Sequence, residues 1–405
     1  MSLPGFPPVL RLARLMAVLT RLAAIVAVAL CVAAPAASDE DVSQTFNAKG
    51  FQPYRELMSE LPFEHIDPMT GNVMLTFTDL MLPGNGGFDL KVQRTFNSKI
   101  YATLNSLGAY TLIEDSWAGL GWTLHFGRVA NPGFTNPGPV VEMPDGSRHP
   151  SFLHVDGVAT HFMTRDFWTL EKLVSGDILL RLPNGVRYTF GHPAVLSGTL
   201  SSTSYLYATN IADPFGNTVD INYYTLDDQG NPAPGDAIQS VVQHLATGET
   251  RTITFTISST LPNPSDGQQE AAGSLRTMSL SGASWTWNYT QTLIPFFAYT
   301  LLKSVQPPEG QPWSFQYAEQ AGQGSYLELT KVTTPNGGSI SYQFANQDFP
   351  LGSTIVYAPA LAARTTAGIQ NAGTWSYQYT HDANLASGNG PNSFQWLLTR
   401  GEPST

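Results

Sequence analysis

Large apolar side chains recur at every second position through much of this chain, in short runs divided by Gly, Pro and Asn. Four runs share one pattern: Trp285-Thr286-Trp287-Asn288-Tyr289, Trp313-Ser314-Phe315-Gln316-Tyr317, Ile340-Ser341-Tyr342-Gln343-Phe344 and Trp375-Ser376-Tyr377-Gln378-Tyr379. Successive side chains of a strand point to opposite faces. Each run therefore presents three large, mostly aromatic residues on one face and a hydroxyl with Asn or Gln on the other. The first positions, 285, 313, 340 and 375, lie 28, 27 and 35 residues apart. A second apolar run and a Gly-containing turn precede each, as in Leu327-Glu328-Leu329-Thr330-Lys331-Val332 before Pro335-Asn336-Gly337. The predicted unit is a β-hairpin. Looser copies lie upstream at Val186–Phe190, Val219–Tyr223 and Ile253–Ile257.

Turn signals punctuate the whole region after about residue 61: Pro83-Gly84-Asn85-Gly86-Gly87, Pro144-Asp145-Gly146, Pro183-Asn184-Gly185, Pro214-Phe215-Gly216-Asn217 and Pro335-Asn336-Gly337-Gly338. Pro fixes φ, and Gly or Asn tolerates positive φ. Such turns between period-2 runs predict an antiparallel all-β chain. One hairpin cannot bury enough aromatic surface to offset the ordering of its own residues, so neighbours must cover it. The expected organisation is a polar lead-in over 39–60, a small N-terminal β-domain over 61–200, and stacked β-hairpin repeats over 201–405. The array is expected to be incomplete at its C-terminal end, with an apolar edge near Phe394-Gln395-Trp396-Leu397-Leu398.

Residues 1–38 differ in texture. Arg11, Arg14 and Arg21 are their only charges, and an apolar run extends from Leu22 to Ala34. Small residues follow, at Ala34-Pro35-Ala36 and Ala36-Ala37-Ser38, before Asp39 and Glu40. This is the layout of a secretory signal peptide, and the run is too short to span a bilayer. The expected address is secreted or cell-surface, with no stable membrane span after leader removal. The only cysteine, Cys31, lies inside the run, so disulfides, thiol chemistry and cysteine-ligated metals are excluded downstream. Without the leader the chain has 17 basic and 31 acidic residues, a net charge of −14. That balance repels phosphate backbones, so nucleic acid is not an expected partner.

Several short motifs occur in a telling order. Asp67-Pro68-Met69-Thr70-Gly71-Asn72-Val73 precedes Leu82-Pro83-Gly84 and Phe88-Asp89-Leu90, followed by Arg94-Thr95-Phe96-Asn97-Ser98 and Gly119-Leu120-Gly121-Trp122. Pro144-Asp145-Gly146-Ser147, Leu182–Tyr188, Asp213–Asn217 and a degenerate Tyr224–Asn231 come after. This series resembles the N-terminal region of rearrangement-hotspot (Rhs) or YD-repeat proteins, across about 65–400. The resemblance implies a β-strand spiral that winds into a hollow shell around a C-terminal segment, often a toxin, released by self-cleavage. No cleavage core or toxin segment is visible before Thr405, so encapsulation and self-cleavage are not carried over.

Candidate chemistry is sparse. His149, His154 and His161 lie near Asp145, Asp156 and Asp166, but without a recognised catalytic or metal spacing, and they are read as polar loop residues. Asp213 and Asp227 are read as turn caps, and Gly84–Gly87 lacks the Lys-Ser/Thr of a phosphate loop. No catalytic, cofactor-binding or metal-ligating residue is assigned. The expected function is a non-enzymatic β-scaffold, part of an Rhs-like shell used in toxin delivery or cell-surface contact. Its expected partners are its own downstream segment or a toxin cargo, and cell-surface glycans. Trp285, Trp313 and Trp375 supply the alternative, a carbohydrate-binding or adhesive surface. A secreted glycan-active enzyme is the weaker alternative.

Overall fold

Every Pro-Gly turn signal named above falls between two strands, and the alternating runs form those strands. The computed structural model describes residues 50–400 apart from 52, 54–57, 59–60, 69, 104–109, 113–115, 134–137, 198–201, 228, 259–271, 295–299, 319–326, 352–353, 370–371 and 382–395. These residues all belong to one unit, 43–405. The leader, most of the lead-in and Phe394-Gln395 lie outside the described residues. Among the described residues the fold is all-β, and no helix is long and apolar enough to cross a membrane.

Three assemblies follow one another. The first is an N-terminal sheet of β1 (Glu64–Asp67), β2 (Asn72–Leu82) and β3 (Leu90–Asn97), with a short β4–β5 hairpin (Tyr101–Thr103, Tyr110–Leu112) before its fourth strand, β6 (Trp122–Leu124). The second comprises β7 (Arg128–Ala130), β8 (Val140–Glu142), β9 (Arg148–Leu153), β10 (His161–Thr164), β11 (Thr169–Lys172), β12 (Ile178–Arg181), β13 (Arg187–Ser197) and β14 (Ser202–Ala212). Each pairs antiparallel with the next, and Tyr205, Leu206 and Tyr207 of β14 pair back to Ala130, Val129 and Arg128 of β7. The result is a closed ring of strands.

The third assembly is an antiparallel ribbon. It contains β15 (Thr218–Tyr223), β16 (Ile238–His244), β17 (Thr250–Ile257), β18 (Leu275–Leu280), β19 (Thr286–Leu293) and β20 (Thr300–Gln306). It continues through β21 (Trp313–Tyr317), β22 (Leu329–Thr333), β23 (Ser339–Leu351), β24 (Thr354–Ala367), β25 (Gly373–His381) and β26 (Trp396–Arg400). Ribbon and ring meet at β14. Its far end, Asn210–Ala212, pairs with β15, while Tyr205–Tyr207 pair with β7. One edge thus serves two neighbours. The expected boundary at residue 200 falls between two strands, β13 and β14, that pair with each other.

The ladder slips at a recurring place. Register shifts fall at Thr189/Phe190, Asn222/Tyr223, Thr256/Ile257, Gln316/Tyr317 and Gln343/Phe344. Each is the step from the fourth to the fifth position of the repeated five-residue pattern. In the β19–β20 hairpin the slip comes two residues later, at Thr290/Gln291. A bulge bends its strand and increases local twist, so every second strand pairing from β13–β14 to β23–β24 carries its own bend.

The aromatic face of the repeat is largely buried as its alternation predicts, with Trp285 the exposed exception. Trp287, Tyr289, Phe315, Tyr317, Ile340, Tyr342, Trp375 and Tyr377 are all buried, and Trp313 packs half-buried against them. Much of the covering comes from the N-terminal sheet. Phe63 and Phe77 meet Trp313 with ring centroids 5.3 and 4.8 Å apart, and Trp122 meets Phe315 at 4.7 Å. These edge-on contacts lie within the favourable range for aromatic pairs. The hairpins lie side by side, and a second sheet closes over their rings.

Candidate functional site

The motif residues of the N-terminal sheet reach outward to join assemblies. Arg94 on β3 is fully buried and grips Asp79 through two bonds, Nε to Oδ2 at 2.8 Å and Nη2 to Oδ1 at 3.1 Å. Asp79 is the extra residue of a bulge in β2, between the pairs Thr78↔Gln93 and Leu80↔Val92. The bulge lets its carboxylate reach Arg94, and Tyr289 of the ribbon donates to the same carboxylate at 2.9 Å. The guanidinium carbon sits 4.6, 5.0 and 5.5 Å from the ring centres of Phe77, Trp122 and Phe315.

Two further joints use the same chemistry. Glu64 of β1 accepts from Arg364 Nε at 2.8 Å and from the Tyr342 hydroxyl at 2.7 Å, tying β1 to β23 and β24. Lys99 donates to the Thr70 carbonyl at 2.8 Å and the Pro359 carbonyl at 2.5 Å. Burial lowers the Lys99 ammonium to about 7, against the opposing pull of Asp67 and Glu328. Burial also raises Glu328 to about 7, with Lys99 pulling it down. The segment around Gly119 docks on the ribbon by backbone bonds, Leu120 N to Thr300 O and Leu275 N to Trp117 O, both 2.7 Å. At Gly119, φ is +106° and a Cβ would lie 3.2 Å from the Leu302 amide nitrogen, so glycine is required there.

A polar row also lines a cleft between the ring and the N-terminal sheet. Ser147 immediately precedes β9 and His149 lies two residues on, so both point to one face, and both are buried. The Ser147 Oγ is 3.1 Å from His149 Nε2, and His149 Nδ1 is 2.6 Å from Asp166 Oδ2. Asp166 lies in the turn after β10 and its side chain is 39% exposed. Trp168 stacks on the imidazole, centroids 3.9 Å apart and 27° from parallel. The Pro144–Ser147 turn is held by Thr76, which donates to the Asp145 carbonyl at 2.9 Å, and Thr95, which donates to the Pro144 carbonyl at 3.0 Å. The cleft holds about 500 Å³ and is lined by Ser147, His149 and Trp168 among apolar walls that include Phe51, Phe88, Phe126 and Leu182.

The remaining sequence candidates separate. His149 belongs to a strand and is buried, unlike the polar loop residue expected. His154 and His161 sit on the β9–β10 hairpin beside Asp156, at 3.1 and 2.7 Å. Hydrogen bonds from His161 and the Val158 backbone lower Asp156 to about 2. Asp213 Oδ1 accepts from the backbone N–H groups of Phe215 and Asn217, both at 2.9 Å. Burial alone raises its carboxyl, and the bonds from Asn217, Phe215 and Gly216 bring it below the usual range. Asp227 caps its turn likewise, through Gln229 and Asn231 at 2.9 and 2.7 Å. Gly84 N donates to Asp89 at 3.0 Å inside its own loop. Of the three tryptophans, Trp375 is buried, Trp313 half-buried and Trp285 46% exposed, so they form no shared open face. The sequence named His149 and Asp166 but missed Ser147 and the row the three form, because Asp166 reaches His149 only through the β9–β10 pairing. The signal available was the i, i+2 spacing of Ser147 and His149 on a predicted strand.

A family described as "Domain of unknown function (DUF6531)" matches residues 63–150. That span holds the Asp67, Arg94, Gly119 and Pro144 motifs, and the match assigns no activity. No curated protein matches this chain. Among solved structures, the TcdB2-TccC3-Cdc42 complex is similar at 13% identity and a TM-score of 0.35, over 82% of this chain and 19% of the other. The N-terminal domain of the effector protein SpvB from Salmonella typhimurium is similar at 13% identity and a TM-score of 0.29, over 73% of this chain and 100% of the other. A porin-like protein from Bacteroides uniformis is similar at 12% identity and a TM-score of 0.26, over 71% and 97%. This chain spans about a fifth of the first of these. At such TM-scores none of the three bears on what this chain does.

Proposed function

We propose that this chain is an exported β-scaffold, the N-terminal part of a shell of Rhs or YD-repeat type, serving toxin encapsulation and delivery or contact at a cell surface. One observation carries it: Glu64, Lys99 and the motif residues Arg94 and Gly119, with their immediate neighbours, join the N-terminal sheet to a meander of repeated, bulged strands. Such a meander lengthens by adding hairpins, and the joined sheet covers the aromatic face of its start. The partner proposed is a downstream segment of the same polypeptide or a cargo joined to it.

Two experiments test this reading. Translation of the gene past the codon for Thr405 is expected to continue the alternating aromatic pattern, with imaging of the longer product by cryo-electron microscopy giving an enclosed lumen. A longer product without further hairpins overturns the shell. Fusion of residues 1–45 to alkaline phosphatase is expected to give periplasmic activity, and an inactive, cytoplasmic fusion overturns export. A second reading, glycan adhesion, is favoured by the open indole of Trp285. It requires glycan-array binding that Trp285→Ala abolishes.

A further inference from the structure

We propose that Ser147, His149 and Asp166 form a hydrolytic site for small esters with an apolar acyl group. The geometry sets the role of each. Asp166 Oδ2 lies 2.6 Å from His149 Nδ1 and carries no proton to donate when ionised, so the Nδ1–H donates to it. This fixes the tautomer and leaves the Nε2 lone pair facing Ser147 Oγ at 3.1 Å. A serine hydroxyl next to a base that a third group orients is the general arrangement of an activated oxygen nucleophile. Trp168 holds the ring plane from one face.

The placement matches the chemistry. Ser147 and His149 line the cleft of about 500 Å³, while Asp166 lies behind the imidazole, partly open to solvent. Phe51, Phe88, Phe126 and Leu182 supply apolar walls for an acyl group. The serine sits next to a turn clamped by two strands of a second sheet, so its position is rigid. Its hydroxyl has a second acceptor, Asp145 Oδ1 at 2.7 Å. Swinging the proton from Asp145 to His149 turns only the O–H bond and moves no heavy atom.

In the first step Oγ adds to the ester carbonyl carbon as its proton passes to Nε2. The C–O bond to the alcohol then breaks, and the same proton leaves with the alkoxide as the free alcohol. Water next attacks the acyl-serine, giving one proton to Nε2. The bond from carbonyl carbon to Oγ breaks, the proton returns to Oγ, and the carboxylic acid departs. Water is the only co-reactant.

The test uses the full chain and a fluorophosphonate probe, followed by intact-mass measurement and peptide mapping, with p-nitrophenyl butyrate as substrate. One equivalent of label on Ser147 is expected, with turnover that Ser147→Ala abolishes. His149→Gln is expected to slow labelling by about 10²-fold or more, the usual scale for loss of a general base. Asp145→Asn, which weakens the competing acceptor, is expected to retain labelling. Absence of label on Ser147 in wild-type protein with native near-ultraviolet circular dichroism overturns the site, as does turnover that persists in Ser147→Ala. Wild-type labelling needs no variant to fold, and either failure leaves the scaffold reading untouched.

Discussion

Glu64 and Arg364 stand 300 residues apart in the chain, yet Arg364 Nε lies 2.8 Å from a Glu64 carboxylate oxygen. Both side chains are essentially excluded from water. The pair closes the described chain upon itself, with Tyr342 sharing the carboxylate and Trp375 lying 4.9 Å below the guanidinium. Removing one member strands the other as a buried charge or orphaned acceptor.

Glu64→Gln and Arg364→Met are each expected to destabilise the protein by about 3–5 kcal/mol, the usual cost of breaking one side of a buried ion pair. The double variant is expected to cost less than the sum, because the second change removes the stranded partner. Urea unfolding of the four proteins measures the coupling. Strict additivity counts against the joint.

The tryptophans separate by burial. Trp313→Ala, which empties the contact with Phe63 and Phe77, is expected to cost about 3–5 kcal/mol. Trp285→Ala, on an indole 46% exposed, is expected to stay within about 0.5 kcal/mol of wild type. Thermal unfolding midpoints should rank them in that order.

Lys99 and Glu328 give stability an unusual pH dependence. A lysine lowered to about 7 when folded binds fewer protons than the unfolded chain between about 7 and its ordinary 10.5. Its contribution to stability therefore rises with pH across that window. Glu328, raised from 4.5 to about 7 when folded, binds more protons than when unfolded, so its contribution falls as pH climbs from 4.5 to 7. Urea midpoints measured from pH 4.5 to 10 are expected to show both limbs. Lys99→Met should flatten the alkaline limb and Glu328→Gln the acidic one.

Two glycines separate backbone strain from crowding. Gly216 has φ +93° and open space where a Cβ would sit, so Gly216→Ala is expected to cost only the left-handed penalty of about 1–2 kcal/mol. Gly146 has φ +86°, and a Cβ there would lie 2.7 Å from both Met74 and Thr95. Gly146→Ala is expected to cost about 1–3 kcal/mol beyond Gly216→Ala, from overpacking. Equal costs by urea titration would mean the Pro144–Ser147 turn is not pressed against β2 and β3.

Much of the architecture was legible locally. The alternation in Trp313–Tyr317 and Ile340–Phe344 identified strands and the face that would be buried, because side-chain direction has period two. Turn residues such as Pro335–Gly338 marked where strands reverse. What covers the aromatic face was not legible, since Phe77 and Trp313 are neighbours only once two sheets pack. Nor were the bulges, because Gln316 to Tyr317 reads as ordinary alternation until its partner strand slips. The cleft was hidden for the same reason: Ser147 and His149 are close in sequence, while Asp166 arrives through pairing across two strands. Arg94 looked like a motif letter and Glu64 carried no signal, and only burial shows them as paired charges.

The divided edge of β14 has a consequence for growth. Tyr205–Tyr207 of that edge are taken by β7 and Asn210–Ala212 by β15, so inserting a residue between them would disturb two partnerships together. Among the described residues, circular closure leaves the strands of the ring, β7 to β13, no vacant side on which another could be laid. The ring itself therefore cannot lengthen at an edge, whereas the ribbon beyond β15 can change its number of hairpins and leave the junction untouched.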